Sequence, residues 1–155
     1  MQPVVLNHLR ARRARIRHNW AVLLRTEPVT TTLAEPEVLM HLFDHTLNRI
    51  FATLKRPPSE RRPTPFRCPC GLSPFLAYFR TAEQTLLEAL VLVHTRQTPE
   101  ASADERAQDV TELQSAIRLI GREEINLFGS ICQHRAQCLS CGQCPPTAAA
   151  ELAPR

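Results

Sequence analysis

SPFLAYFRTAEQTLLEALVLVHTR, residues 73–96, is the stretch that decides the fold. Phe75, Phe79, Ala82, Leu86, Leu90 and Val93 recur every three or four residues, which is the spacing of one face of an α-helix and not of a strand. Ser73-Pro74 supplies a capping hydroxyl followed by a proline suited to a first helical turn. A helix over 74–96 with one buried stripe follows, and a stripe of that length needs neighbours to cover it.

On its C-terminal side, Thr98-Pro99 interrupts the pattern. It resumes over 101–132 through Val110, Leu113, Ile117, Ile120, Phe128 and Ile131, with Glu100, Asp104 and Glu105 suiting the positive end of a helix dipole. On the N-terminal side two further periodic stretches precede it. Residues 3–25 place Val5, Leu9, Ile16, Trp20 and Leu23 on one stripe, with Trp20 expected in the core. Residues 34–55, with Thr32 as a candidate cap and Pro36 in the first turn, align Leu39, Leu42, Phe43, Thr46, Leu47, Ile50 and Leu54. Pro57 and Pro58 end that helix, and 56–72 holds five prolines, so it reads as a stiff, irregular connection.

The expected fold is therefore all-α: an antiparallel up-down-up-down four-helix bundle occupying 1–144, with a flexible Ala/Pro-rich tail over 145–155. A chain of 155 residues fits one such domain. Aromatics at 5% disfavour strand-rich folds. In this order of helices the loop between the second and third lies at the same end as the C-terminus of the fourth.

That placement matters because all six cysteines fall in those two segments. Cys68-Pro-Cys70-Gly71 sits in the connection, and Cys132, Cys138, Cys141 and Cys144 follow the last helix. Cys138-Leu-Ser-Cys141-Gly142 has the form of a zinc-knuckle turn, and C-P-C-G is a tighter version. Together they predict a tetrahedral zinc site from Cys68, Cys70, Cys138 and Cys141, with Cys132, Cys144 and His134 as additional candidate ligands. An iron–sulfur cluster is the rival, since Cys138, Cys141 and Cys144 share the C-x2-C-x2-C opening of bacterial ferredoxins but lack the following x3-C-P. A thiol switch is the third reading, with Arg67 and Arg135 favouring thiolates. Phe75 and Tyr78 are placed to pack beneath such a site.

Other candidates weigh less. His41 and His45 share a metal-chelating i,i+4 spacing but fall opposite the apolar stripe, where solvent-facing histidines are the plainer expectation. Glu124 lies within the stripe of the last helix, between Ile120 and Phe128, and calls for an arginine partner or a place at the stripe's edge. Four glycines and no phosphate-cradling loop argue against nucleotide binding. No nucleophile–base pair or acid–base dyad supports catalysis, so a non-enzymatic role in regulation or protein interaction is the leading expectation.

Charge is uneven. Residues 1–67 carry eleven arginines and Lys55 against five acids, and 68–155 carry seven arginines against ten acids. Arg10, Arg13 and Arg17 point in helical directions too dispersed for one phosphate-facing row, so no sequence-specific nucleic-acid partner is expected. No apolar run spans a bilayer and no secretory h-region opens the chain, so a cytosolic location is expected, where close cysteines serve as ligands or redox thiols. A protein partner or a homodimer completes the expectations.

Overall fold

The computed structural model describes residues 1–29, 32–61 and 73–131. Among them the fold is all-α. The helices are α1 (Pro3–Ala11), α2 (Arg13–Thr26), α3 (Pro36–Met40), α4 (Phe43–Lys55), α5 (Phe75–Arg96) and α6 (Ala103–Ile131), with short 3-10 turns at Thr32–Ala34 and Pro58–Glu60.

The two longest helices begin with local signals. The Phe75 N–H donates to Ser73 Oγ at 3.3 Å where α5 starts. At α6 the caps are reciprocal: the Ser102 N–H donates to Glu105 Oε2 at 2.8 Å, and the Glu105 N–H donates to Ser102 Oγ at 3.2 Å. This satisfies two amide donors that have no partner inside the helix.

The expected helices over 3–25 and 34–55 are each broken. At Arg12, φ −91° and ψ 7° close a tight turn in which the Arg12 N–H donates back to Leu9 O, and α2 restarts one residue later. The break rotates the buried stripe. On an unbroken helix Leu23 is in phase with Val5, but after the break Leu24 takes the inside position at 2% exposure and Leu23 is only half-buried. In the second stretch Thr32 belongs to a 3-10 turn and does not cap a helix. A turn at 41–42 then leaves Leu42 exposed at 38% while Phe43 goes inside.

One core results. It runs from Val5 and Leu9 through Ile16, Trp20, Phe43, Leu47 and Ile50 to Tyr78, Leu86, Leu90, Leu113 and Ile117. Each such side chain contributes about 1.5–3 kcal/mol relative to an exposed one. Gly121 lets the Phe79 ring of α5 pack close against α6, because a Cβ there would come 3.1 Å from that ring.

Side-chain pairs give the directions. Arg10 donates to Phe51 O, Arg13 to Asp44 and Arg25 to Glu37, so α1–α2 runs antiparallel to α3–α4. Phe75 meets Phe128, Glu83 meets Arg118 and His94 meets Asp109, so α5 runs antiparallel to α6. Arg49 pairs with Glu123 and Arg61 with Glu112, which sets α4 antiparallel to α6 as well. Two helices antiparallel to α6 are parallel to each other. The expected up-down-up-down order is thus corrected: α4 and α5 point the same way, and the 56–74 connection starts at the Arg61 end of the helices and finishes at the Phe75 end. A nineteen-residue link is long enough, since an extended chain advances about 3.3 Å per residue and the length of α5 is about 33 Å.

Candidate functional site

Cys68, Cys70, Cys132, His134, Cys138, Cys141 and Cys144 lie outside the described residues. The helix ends that flank them are described, and they meet. The Phe75 and Phe128 rings contact edge to face at 6.2 Å between centroids. Cys70 stands five residues before Phe75, and Cys132 four residues after Phe128. The start of α5, which follows Cys70, and the end of α6, which precedes Cys132, therefore lie together; the expected meeting of the cysteines themselves falls outside the described residues.

Beneath that end lies an aromatic layer. Trp20 and Phe43 stack with centroids 4.1 Å apart, and Tyr78 tilts against both. Polar atoms in the layer are committed: Trp20 Nε1 donates to Tyr78 O at 3.2 Å and Thr81 Oγ1 at 3.1 Å, and Tyr78 OH shares a 2.8 Å hydrogen bond with Thr46. Burial pushes the Tyr78 phenol well above its ordinary range, against the smaller opposing effect of the Thr46 bond, so it stays protonated. Tyr78 is thus a core residue, whereas Phe75, partly exposed, is the ring nearer the cysteine segments.

The remaining expectations can be placed. Glu124 pairs with Arg49, whose guanidinium also reaches Glu123 at 2.6 Å, so the bland reading of this carboxylate as ion-paired holds. His41 and His45 are both exposed, and no group of three or more His, Cys, Asp or Glu side chains among the described residues is arranged to hold a metal. Among the described residues no helix is long and apolar enough to cross a membrane.

A second polar cluster, at the Arg61 end, was not anticipated. Glu112 accepts from Arg61 at 3.2 Å, from Gln108 at 3.1 Å and from the Met1 ammonium. Asp109 accepts from the Gln2 N–H at 3.2 Å and faces His94 Nε2 at 3.6 Å, while His94 Nδ1 lies 3.3 Å from Thr98 Oγ1. Desolvation raises the Asp109 carboxyl, outweighing the Gln2 hydrogen bond. Burial works to raise Glu112 too, but the ammonium, Gln108 and Arg61 together hold it below its ordinary value. The signal was in the sequence: Asp109 is in phase with Leu113, Ile117 and Ile120, so it interrupts the same apolar stripe that drew attention to Glu124. Thr98, His94 and Asp109 resemble a hydroxyl–imidazole–carboxylate relay, but each is at most 6% exposed. The cluster ties α5 to α6.

Comparison with known proteins finds no matching family model, no matching curated protein and no matching solved structure.

Proposed function

We propose that this chain is a non-enzymatic, cytosolic four-helix bundle, in up-down-down-up order, whose cysteine-rich end binds zinc and serves regulation or protein interaction. Cys68, Cys70, Cys138 and Cys141 are the proposed ligands, with Cys132, Cys144 and His134 able to substitute. The observation that carries the reading is the Phe75–Phe128 contact: segments more than sixty residues apart in sequence leave the helices side by side. The C-P-C-G and C-L-S-C-G sequences on those segments would supply the thiolates that a tetrahedral zinc needs. The aromatic rings under that end offer the dry surroundings that favour metal–thiolate bonds. An interaction role fits better than catalysis because the relay-like cluster found among the described residues is buried.

Metal analysis of intact, tag-free protein purified without oxygen tests this. About one zinc per chain is expected, in a colourless protein. Iron with inorganic sulfide and a brown colour would replace zinc by an iron–sulfur cluster. Metal-free protein that forms disulfides on mild oxidation would replace the site by a thiol switch.

A further inference from the structure

The interruption between α1 and α2 does more than rotate a stripe, because it sets Arg12 beside a cleft between α2 and α5. The cleft has a volume of about 170 Å³ and is lined by Arg12, Arg15, Asn19, Thr85 and Glu88 among others. Two of these residues carry buried polar atoms without a hydrogen-bond partner: Arg12 Nε and Thr85 Oγ1. Such atoms are uncommon in folded proteins, and one explanation is a missing bound species.

Thr85 is informative by contrast with Thr81, one turn earlier. The Thr81 hydroxyl donates to Ala77 O at 2.9 Å and accepts from Trp20, the usual way for a helical threonine to satisfy itself. The Thr85 hydroxyl, on a residue 1% exposed, does neither. Among the described residues no ion pair engages Arg12, Arg15 or Glu88, so two guanidiniums stand against one carboxylate in the lining; Glu88 also accepts from Gln84 at 3.2 Å. Arg12 is moreover the N-cap of α2 and makes no side-chain cap.

We propose that this cleft binds a small oxyanion. A guanidinium presents N–H donors in a planar fork suited to phosphate or carboxylate oxygens, and a hydroxyl supplies one more donor. The cleft, about 170 Å³, is large enough for an anion the size of phosphate or acetate. Water alone would satisfy the hydroxyl but leave the lining, two guanidiniums against the Glu88 carboxylate, with one net positive charge. Phosphate and carboxylate share the chemistry, and the experiment separates them.

Thermal unfolding of the full chain would be followed while sodium phosphate, sodium acetate or sodium chloride is titrated at constant ionic strength. The expected result is a saturable rise in midpoint for phosphate, acetate or both, and none for chloride, amounting to about 3–6 °C at tenfold excess over Kd. Arg12→Gln and Thr85→Val should each abolish the rise, and Arg118→Gln, outside the cleft, should keep it. Thr85→Val is nearly isosteric and keeps the test decisive if Arg12→Gln folds poorly. Equal response to chloride, no response to either oxyanion, or a response retained in Thr85→Val would overturn the proposal. In the last case a raised baseline midpoint would mark the hydroxyl as merely unsatisfied.

Discussion

Where α5 begins and α6 ends, the helices are joined by rings: Phe75 on Phe128, with Tyr78, Trp20 and Phe43 one turn below. Where α5 ends and α6 begins, the contacts are polar: His94 on α5 faces Asp109 on α6, and Glu112 on α6 takes Arg61 from the segment after α4. The two ends hold the same pair of helices by different physics. Ring packing is non-directional, tolerates small shifts and is indifferent to pH. A buried polar network fixes register only while every member keeps its partner, and it answers to protonation. The cysteine segments emerge at the first kind of end, where the described residues offer apolar surface and few competing donors for a thiolate.

The largest effect should come from removing the centre of the ring end. Trp20 is fully buried, stacks on Phe43 and satisfies its indole N–H, so Trp20→Ala opens a cavity and orphans nothing but its partners' contacts. A loss of about 3–5 kcal/mol is expected in urea unfolding, with the same slope in acid and at neutral pH. A loss below about 1 kcal/mol would mean that the ring layer does not organise the core.

The charged end should answer smaller and with pH. Glu112→Gln should cost about 1–2 kcal/mol at neutral pH. Because Glu112 is held below its ordinary value in the folded state, its contribution is present above the unfolded pKa and is lost as pH falls through the folded one. Asp109 has the opposite sign: its carboxyl is raised, so the ionised form weakens the fold as pH rises from the unfolded value through the folded one. Asp109→Asn should therefore gain stability relative to the parent across that window while Glu112→Gln loses it. Parallel pH profiles for the two variants would break the distinction between paired and merely desolvated carboxylates at this end.

Legibility in the sequence divides along similar lines. Helices α5 and α6 were readable almost to the residue because their stripes are long and their starts carry caps, and Glu124 was rightly matched to an arginine. The broken stretches were not, because nothing at Arg12 or at His41-Leu42 marks a stop: no glycine or proline stands there, and only the competition between two core registers, Leu23 against Leu24, reveals the turn. Helix order was missed because periodicity says which face is buried and nothing about direction. The long 56–74 link was read as a loop at one end, although its length equally permits a crossing.

A modest effect is expected at a site that was legible and overlooked. Ser102-Ala-Asp-Glu105 is a capping box in plain sequence, and it closes α6 at the charged end without burial. Ser102→Ala should cost about 1 kcal/mol, independent of any metal. A larger cost would show that the cap also positions Glu105 toward Gln2, its 2.8 Å partner on the other side of the cluster.

The smallest effect on the helices should come from the cysteines. Every core side chain from Val5 to Ile120 belongs to described helices, so their burial does not depend on a metal beyond the ring end. A structural metal supplies free energy chiefly to the segments its ligands organise. Cys138→Ser together with Cys141→Ser should therefore abolish stoichiometric metal and speed hydrogen exchange over 60–72 and 132–146, while most helical circular dichroism survives. Full metal occupancy in this variant would reject the ligand set. Loss of all helicity would instead reverse the comparison between the ends: the ring layer would owe its order to the metal above it, and the charged end alone would be too weak to hold α5 on α6.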